Sequence, residues 1–202
     1  MEQSIINGYA EDASFLIESF EEISSSDLLA HVSDFIPNSK CKVIEIGAGT
    51  GRDAAWLASK GLDVLAVEPV SEFRKAGKSL HPSQQIEWLN DFLPSLPGVL
   101  QRNELYELAI LVSVWQHIPK EEKLASLINL HSILIKNANL IISVRNGPGS
   151  IKRKCYPTSA KETTDLAQQC GFKLISSQNT ESIQVSNQKA NVTWTWLIFT
   201  SV

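Results

Sequence analysis

The chain has 202 residues, of which 43% are hydrophobic and 20% are charged, and this length favours one globular domain, 1–202, without a second catalytic unit. Its 18 Lys and Arg residues against 22 Asp and Glu residues give a net charge of −4 with no dense basic run, which argues against a nucleic-acid partner. The three cysteines form neither a disulfide framework nor a metal-binding pattern. With no apolar run of membrane-spanning length and no secretion signal, we expect a cytoplasmic protein that holds no metal and binds no membrane.

The first 40 residues are predicted to form helices that precede a sheet. Apolar residues share helical spacing at 15–20 and again at 28–36, and the second series begins after Ser26-Asp27 and stops at Pro37. We expect these N-terminal helices to cover the functional site.

From residue 42 onward, short apolar runs of strand length alternate with helical segments. The predicted strands span 43–46, 64–67, 86–89, 108–114 and 140–144. Two of the intervening helices have clear end signals: Gly61 closes a helix at 53–60, and Pro119 opens one at 119–133. This alternation predicts parallel strands that are joined by crossover helices, with helices on both faces of the sheet.

The C-terminal part adds one helix and two strands. Ser159 and Glu162 fit a capping box for a helix that runs to about residue 170. Strands are predicted at 172–176 and 192–198, and their helix-free connection implies that they are antiparallel. The predicted fold class is therefore α/β: a Rossmann-like, seven-stranded, mostly parallel sheet with one antiparallel strand, formed by residues 41–202.

The strongest local signal is a glycine-rich turn between the first predicted strand and the following helix. Gly47, Gly49 and Gly51 stand at alternate positions, and glycine lets the backbone turn tightly and approach a ligand closely. Glu68 ends the second predicted strand, 21 residues after Gly47. That is close to the offset of roughly 20 residues at which an acidic side chain meets ribose hydroxyls in nucleotide-binding βαβ units.

Arg52 narrows the choice of nucleotide. A phosphate-binding P-loop would have Lys followed by Ser or Thr after the last glycine, and this chain has Arg52-Asp53 instead. A dinucleotide fingerprint would need a small residue at position 52, so nicotinamide dinucleotides are the weaker interpretation.

The chain resembles the class I S-adenosylmethionine-dependent methyltransferases, in particular those with a generic small-molecule methyltransferase domain. The resemblance covers roughly residues 40–200 and four motifs in order: the turn from Glu45 to Gly51, Glu68, the segment 90–92 and the segment 113–119. Arg52-Asp53 and the segment 145–148 resemble a subgroup whose substrates are poorly defined.

The resemblance implies S-adenosylmethionine as cofactor and S-adenosylhomocysteine as product. In this family the first motif surrounds the methionine part, the acid after the second strand holds the ribose diol, and the acid after the third strand faces the adenine amino group. The implied cofactor-binding residues are Glu45, Gly47, Ala48, Gly49, Thr50, Gly51, Arg52, Asp53, Glu68, Pro69, Asn90, Asp91, Phe92 and Val114.

Five side chains are candidates for the reaction itself. His117 is placed to act as a general base or to make a helix-start hydrogen bond. Trp115 could wall a substrate pocket, next to the sulfonium, or fill the core. Tyr9 could close over the site or lie on the surface. Arg145 and Arg153 flank the loop after the fifth predicted strand, where an arginine could bind a substrate carboxylate or phosphate, although Arg153 could equally be a solvated charge.

These features predict methyl transfer to a small molecule by in-line displacement at the sulfonium methyl. Two alternatives remain open: a catalytically silent protein that binds S-adenosylmethionine or another partner, and an NAD(P)-dependent oxidoreductase. An open cavity faced by Asp91, Trp115 and His117 would favour the enzyme over the silent protein. The short chain leaves little room to grip a macromolecule, so we expect a small-molecule substrate and a monomer or homodimer.

Overall fold

The computed structural model describes residues 2–150 and 152–202. In this part of the chain, strands and helices alternate as the hydrophobic pattern predicts. The strands are β1 Lys42–Ile46, β2 Asp63–Val67, β3 Ile86–Leu89, β4 Tyr106–Leu111, β5 Leu134–Asn146, β6 Phe172–Glu181 and β7 Thr193–Ser201. The α-helices are α1 Gln3–Glu11, α2 Ala13–Glu21, α3 Ser25–Leu28, α4 Arg52–Ser59, α5 Ser71–Leu80, α6 Pro97–Gln101, α7 Lys120–Ser132, α8 Ala160–Gln169 and α9 Val185–Lys189, with 3-10 helices at Ala30–Phe35 and Trp115–His117.

The strands form one sheet in the order β3-β2-β1-β4-β5-β7-β6. Strand β7 is antiparallel to both of its neighbours, and the other pairs are parallel. The predicted fold class is therefore confirmed. Because the strand order reverses between β1 and β4, a crevice opens at their carboxyl ends, and this is where open α/β sheets bind ligands.

Both faces of the sheet are buried, as its near-continuous apolar strands require. Along β1, Val43 packs on the face covered by α4, whereas Ile44 and Ile46 pack on the face covered by α7 and α8. Glu45 lies on the same face as Val43, because side chains alternate along a strand. Within the described residues, no helix is long and apolar enough to cross a bilayer.

Strand and helix ends differ from the prediction where the backbone, not hydrophobicity, decides them. Strand β4 ends at Leu111 and not at residue 114, because Ser113 has a left-handed φ of +59° that turns the chain away from the sheet. Strand β6 continues to Glu181, five residues beyond its predicted end. It is an edge strand, and its polar residues alternate between exposed and half-buried positions, so apolar content alone does not reveal it.

The N-terminal segment and α7 also differ in detail. The helix predicted at 28–36 is a short α3 followed by a 3-10 helix, and Ser24 caps α3 by accepting a hydrogen bond from Asp27 N–H. Pro119 precedes α7 as its N-cap and is not its first residue. The predicted cap of α8 is present, since the Ser159 hydroxyl accepts from Glu162 N–H.

Candidate active site

A cavity of about 650 Å³ opens at the carboxyl ends of β1, β2, β4 and β5. This volume lies in the range of about 300–1,000 Å³ that small-molecule sites occupy. The N-terminal helices contribute part of its lining, including Tyr9, Leu16 and Phe20. The sheet edge contributes the glycine turn, Glu68, Pro69, Val114 and His117. The cavity thus brings the predicted site residues of the N-terminal helices together with those of the sheet edge.

Gly47 lies where the turn after β1 crosses the segment after β4. Its φ is +73°, and its N–H donates to the Val67 carbonyl over 2.7 Å. A Cβ at this position would lie 2.4 Å from Val114 Cγ2. Position 47 therefore requires glycine for both its backbone conformation and the contact with Val114.

Gly51 is required for packing against another side chain and not for close contact between the backbone and a ligand. Its φ is +76°, and an added Cβ would lie 2.5 Å from the Trp88 ring. Gly77 of α5 makes the same approach to that ring, where a Cβ would lie at 2.3 Å. The indole of Trp88 is thus held between the glycine turn and α5, so the third glycine of the motif is explained by this contact.

We expect the Gly47→Ala substitution to reduce the free energy of unfolding by about 1–3 kcal/mol more than Gly61→Ala does. Both positions have positive φ, +73° and +88°, so both substitutions carry similar backbone strain. Only Gly47 adds the collision with Val114, because an added Cβ at Gly61 meets no atom within 4 Å. Urea unfolding measures the difference. The double variant Gly47→Ala/Val114→Ala should recover part of the loss, and equal losses in the two single variants would contradict this explanation.

The Glu68 carboxylate connects the glycine turn to the segment after β2. Oε2 accepts from Gly49 N–H and Oε1 accepts from Val70 N–H, both over 2.8 Å. Burial raises the pKa of this carboxyl to about 7. Since a carboxylate offers about four acceptor sites and two are used, the group can still accept from hydroxyl donors in the cavity.

Glu45 belongs to the wall of the same cavity and has a carboxyl oxygen that is unpaired within the described residues. Its side chain is buried, and among the described residues Oε2 has no hydrogen-bond partner. Burial, with the nearby Asp53 and Glu68 carboxylates, raises the pKa of Glu45 well above its usual value. A buried acceptor without a donor is costly, and a cationic or hydrogen-donating ligand would satisfy it.

Arg52 and Asp53 bind the N-terminal helices to the glycine turn. The Arg52 guanidinium donates to both oxygens of Asp53 over 2.9 and 2.7 Å, and its Nη1 donates to the Phe20 carbonyl over 2.8 Å. The Ser25 hydroxyl donates to Asp53 Oδ1 over 2.6 Å. Both residues also line the cavity. They therefore fix the wall that α2 and α3 form over the turn.

Tyr9 and His117 meet in the cavity although 108 residues separate them. The Tyr9 hydroxyl lies 2.9 Å from His117 Nε2, and His117 Nδ1 lies 2.8 Å from the Lys154 carbonyl. A carbonyl can only accept, so Nδ1 carries the ring hydrogen and Nε2 accepts from Tyr9. Burial lowers the pKa of His117 to about 4, so the ring is neutral near pH 7, and burial raises the pKa of Tyr9.

Gln116 is a cavity residue that sequence reasoning did not select. Its Nε2 donates to the Ser113 carbonyl over 2.7 Å and lies 3.3 Å from His117 Nε2. Its Oε1 is buried without a partner among the described residues. The sequence could have indicated Gln116 only through its position next to His117. That both side chains face the cavity is visible only in the structure, in which the chain turns at Ser113.

Five predicted residues do not line the cavity, and one of them is Gly51, which packs against Trp88 as described above. The Trp115 side chain is fully buried in the core, where its indole N–H donates to the Thr163 hydroxyl over 2.9 Å. Each carboxylate oxygen of Asp91 accepts a backbone N–H, from Phe92 and from Val99. Asn90 is exposed and Phe92 packs with the cluster around Phe73. The structure thus brings His117 to the open cavity, but neither Asp91 nor Trp115.

Arg145 and Arg153 lie on the side of the cavity formed by β5 and the following loop, together with Cys155. Arg145 donates to the Pro148 carbonyl, and Arg153 forms an ion pair with Asp12 over 2.7 Å. Both guanidinium groups lie close enough to His117 to oppose its protonation. This side of the cavity is therefore positively charged.

A sheet of this order, with a glycine turn after β1 and an acidic residue after β2, defines a Rossmann-like α/β protein with a nucleotide-type site. The chain belongs to the methyltransferase domain family, which it matches over residues 15–193.

Relatives and solved structures agree with this assignment. An uncharacterized methyltransferase of Oceanobacillus iheyensis is 24% identical over 147 residues, which are 71% of this chain, and the match spans 62% of that protein's length. A TehB-like methyltransferase of Corynebacterium glutamicum superposes with a TM-score of 0.67 at 18% identity over 98% of both chains. The 1,6-didemethyltoxoflavin-N1-methyltransferase of Burkholderia thailandensis gives 0.66 at 20% identity over 88% of this chain and 76% of its own, in a structure with its substrate and S-adenosylhomocysteine bound. At these identities the two structures establish the shared fold.

Proposed function

We propose that the chain is a methyltransferase that uses S-adenosylmethionine, methylates a small-molecule acceptor and yields S-adenosylhomocysteine. The observation that carries the proposal is one continuous cavity that holds Glu45 and Glu68 on one side and the Tyr9–His117 pair on the other. The family match and the S-adenosylhomocysteine bound in the Burkholderia enzyme support it.

The cavity residues fit this cofactor. Glu68 has acceptor sites left for ribose hydroxyls. The buried Glu45 carboxyl, whose Oε2 has no partner among the described residues, would ionise to pair with the ammonium group of the methionine part. Between them, Gly49 leaves the backbone open, because an added Cβ there would have no neighbour closer than 3.6 Å. When bound, S-adenosylmethionine supplies an electrophilic methyl group on a sulfonium sulfur.

Tyr9 and His117 can then take up the proton that the acceptor loses. Because Tyr9 donates its hydrogen to His117 Nε2, the lone pairs of its oxygen remain to accept a hydrogen bond from an acceptor hydroxyl or amine. A hydroxyl oxygen that gains the methyl group becomes strongly acidic, so a neutral histidine with a lowered pKa is still basic enough to take its proton through Tyr9. Tyr9 is the catalytic residue of this pair, and His117 positions it and receives the proton.

The walls of the cavity also support the proposal that the acceptor is a small molecule. Residues of α1, α2 and the 3-10 helix at Ala30–Phe35 line one wall, and Arg52 and Ser25 hold this wall against the turn. The expected substrate is therefore a compound that fits inside the cavity beside the cofactor.

Calorimetric titration tests the proposal directly. We expect S-adenosylmethionine and S-adenosylhomocysteine to bind one site per chain, and NAD(H) and NADP(H) not to bind, because the Arg52 guanidinium is fixed to Asp53 and Phe20 beside the turn. A screen for S-adenosylhomocysteine release with small hydroxyl, amine and thiol compounds then seeks the acceptor. If neither S-adenosylmethionine nor S-adenosylhomocysteine binds, the proposal is refuted. Binding with no release from any compound would favour a silent cofactor-binding protein.

A further inference from the structure

Two arginines bring positive charge to the side of the cavity that holds Tyr9 and His117. Arg145 is half-buried, and no carboxylate of the described residues lies within ion-pair distance of it. Its Nε and Nη2 donate to the Pro148 carbonyl over 2.9 and 2.7 Å, Nη2 also contacts Asn187 Oδ1 over 3.1 Å, and the group lies 5.5 Å above the Trp194 ring. These contacts hold the guanidinium in place without neutralising it, and Nη1 stays unused among the described residues.

Arg153 is only partly neutralised. Its Nη1 donates to Asp12 Oδ2 over 2.7 Å, but the other oxygen of Asp12 binds Lys152 over 2.8 Å, so one carboxylate serves two cations. The guanidinium lies 5.2 Å above the Tyr9 ring. Its Nε and Nη2 have no partner in the described part of the chain and are free to donate to a ligand.

The two sides of the cavity differ in net charge. Glu45, Asp53 and Glu68 stand with Arg52 on the side of the glycine turn, whereas Arg145 and Arg153 stand on the other side. The remaining acidic lining residues, Asp27 and Glu181, are exposed. Buried cations need a counter-charge. Because the site also receives a sulfonium, the two arginines would attract an anionic acceptor more strongly than a neutral one and would repel a cationic one.

We infer that Arg145 and Arg153 form an oxyanion subsite, so that the methyl acceptor carries a carboxylate, phosphate or similar oxyanion next to the group that is methylated. The inference rests on the proposed function for the identity of the ligand as an acceptor. The subsite itself is defined by the unused Nη1 of Arg145 and the unused Nε and Nη2 of Arg153, which can donate to an anion at the same time as Tyr9 contacts the reacting atom.

Cys155 provides a reporter inside this subsite. Its thiol lines the cavity and lies close enough to both arginines for them to lower its pKa, against the larger effect of burial, which raises it. Iodoacetate carries a carboxylate, whereas iodoacetamide is its neutral analogue. An oxyanion subsite should therefore favour alkylation of Cys155 by iodoacetate.

The other two cysteines are internal controls. Burial raises the pKa of both thiols; Glu107 and Asp63 add to this for Cys41, whereas burial is the single cause for Cys170. The ratio of the iodoacetate rate to the iodoacetamide rate, measured by mass spectrometry of the labelled peptides, should fall in the order Cys155, Cys170, Cys41. We expect the ratio at Cys155 to exceed that at Cys170 by about tenfold, which is the effect of one charge-assisted hydrogen bond.

Substitutions assign the effect to the arginines. Arg145→Gln and Arg153→Gln should each bring the ratio at Cys155 towards that of Cys170. Lys161→Gln is the matched control, because it removes one positive charge from an exposed side chain that pairs with Asp165 and does not line the cavity. A ratio at Cys155 equal to that at Cys170, or one that both arginine variants leave unchanged, would overturn the inference.

A second measurement covers the case in which neither reagent reaches Cys155. Inorganic phosphate should raise the unfolding temperature of the protein, and Arg145→Gln should abolish this shift; no shift in the wild-type protein would overturn the inference. Protection of Cys155 by acetate or by phosphate distinguishes a carboxylate from a phosphate acceptor. Each measurement is made with and without S-adenosylhomocysteine, so a failure of the proposed function appears as absent cofactor binding and is separate from a failure of the subsite.

Discussion

Replacing Glu68 with alanine is expected to weaken the binding of S-adenosylhomocysteine by about 100-fold. The Glu68 side chain is buried in the cavity wall, and in its ionised form, which predominates above the pKa of about 7, each hydrogen bond that it accepts from the proposed ribose hydroxyls should contribute roughly 1.5–3 kcal/mol. A loss of about 3 kcal/mol corresponds to two orders of magnitude in Kd. Calorimetric titration of the variant measures it.

Glu68→Ala also leaves Gly49 N–H and Val70 N–H without their acceptor, so its folding has to be measured beside its affinity. Glu72→Ala is a suitable control, because Glu72 lies four residues away on α5, is exposed and bonds the Ser71 hydroxyl. The control should bind S-adenosylhomocysteine as the wild-type protein does. A folded Glu68→Ala variant with unchanged affinity would refute the assignment of Glu68 to the ribose.

The elements that the sequence predicts well are those with a local physical cause. Strands β1, β2 and β3 are short apolar runs bounded by polar residues or glycine, and their predicted positions differ from the observed ones by at most one residue. The position of Glu68 beside the turn follows from the length of one βαβ unit. Local spacing in the sequence is therefore sufficient to predict both these strands and the acidic residue at the edge of the sheet.

Contacts between distant segments could not be read in the same way. The spacing around Tyr9 says only that it lies on a helix, and no local pattern indicates that its hydroxyl meets His117. Trp115 and His117 are two residues apart, yet the turn at Ser113 directs one into the core and the other into the cavity. These orientations depend on one left-handed residue and on the packing of α1, neither of which hydrophobic periodicity encodes.

Replacing Tyr9 with phenylalanine should reduce turnover by about 100-fold with a hydroxyl acceptor, while the affinity for S-adenosylhomocysteine stays the same. The phenyl ring keeps the packing against Phe73 and the stacking under Arg153, and only the hydroxyl that contacts His117 Nε2 is removed. Positioned proton acceptors contribute about 10²–10⁴ in rate. Steady-state assays of S-adenosylhomocysteine release, with calorimetry on the same preparation, separate turnover from binding.

The proposed transfer of one proton through Tyr9 to His117 predicts that the double variant Tyr9→Phe/His117→Gln is no slower than the slower single variant. Tyr156→Phe is the matched control: Tyr156 bonds Glu2 outside the cavity, and its loss should leave turnover unchanged. NMR titration adds a readout that is independent of the acceptor, since the His117 ring should stay neutral until the pH falls to about 4, well below an ordinary histidine. Full turnover in Tyr9→Phe, or independent effects of the two substitutions, would mean that the acceptor loses its proton by another route and that the contact between Tyr9 and His117 holds α1 in place without taking part in the reaction.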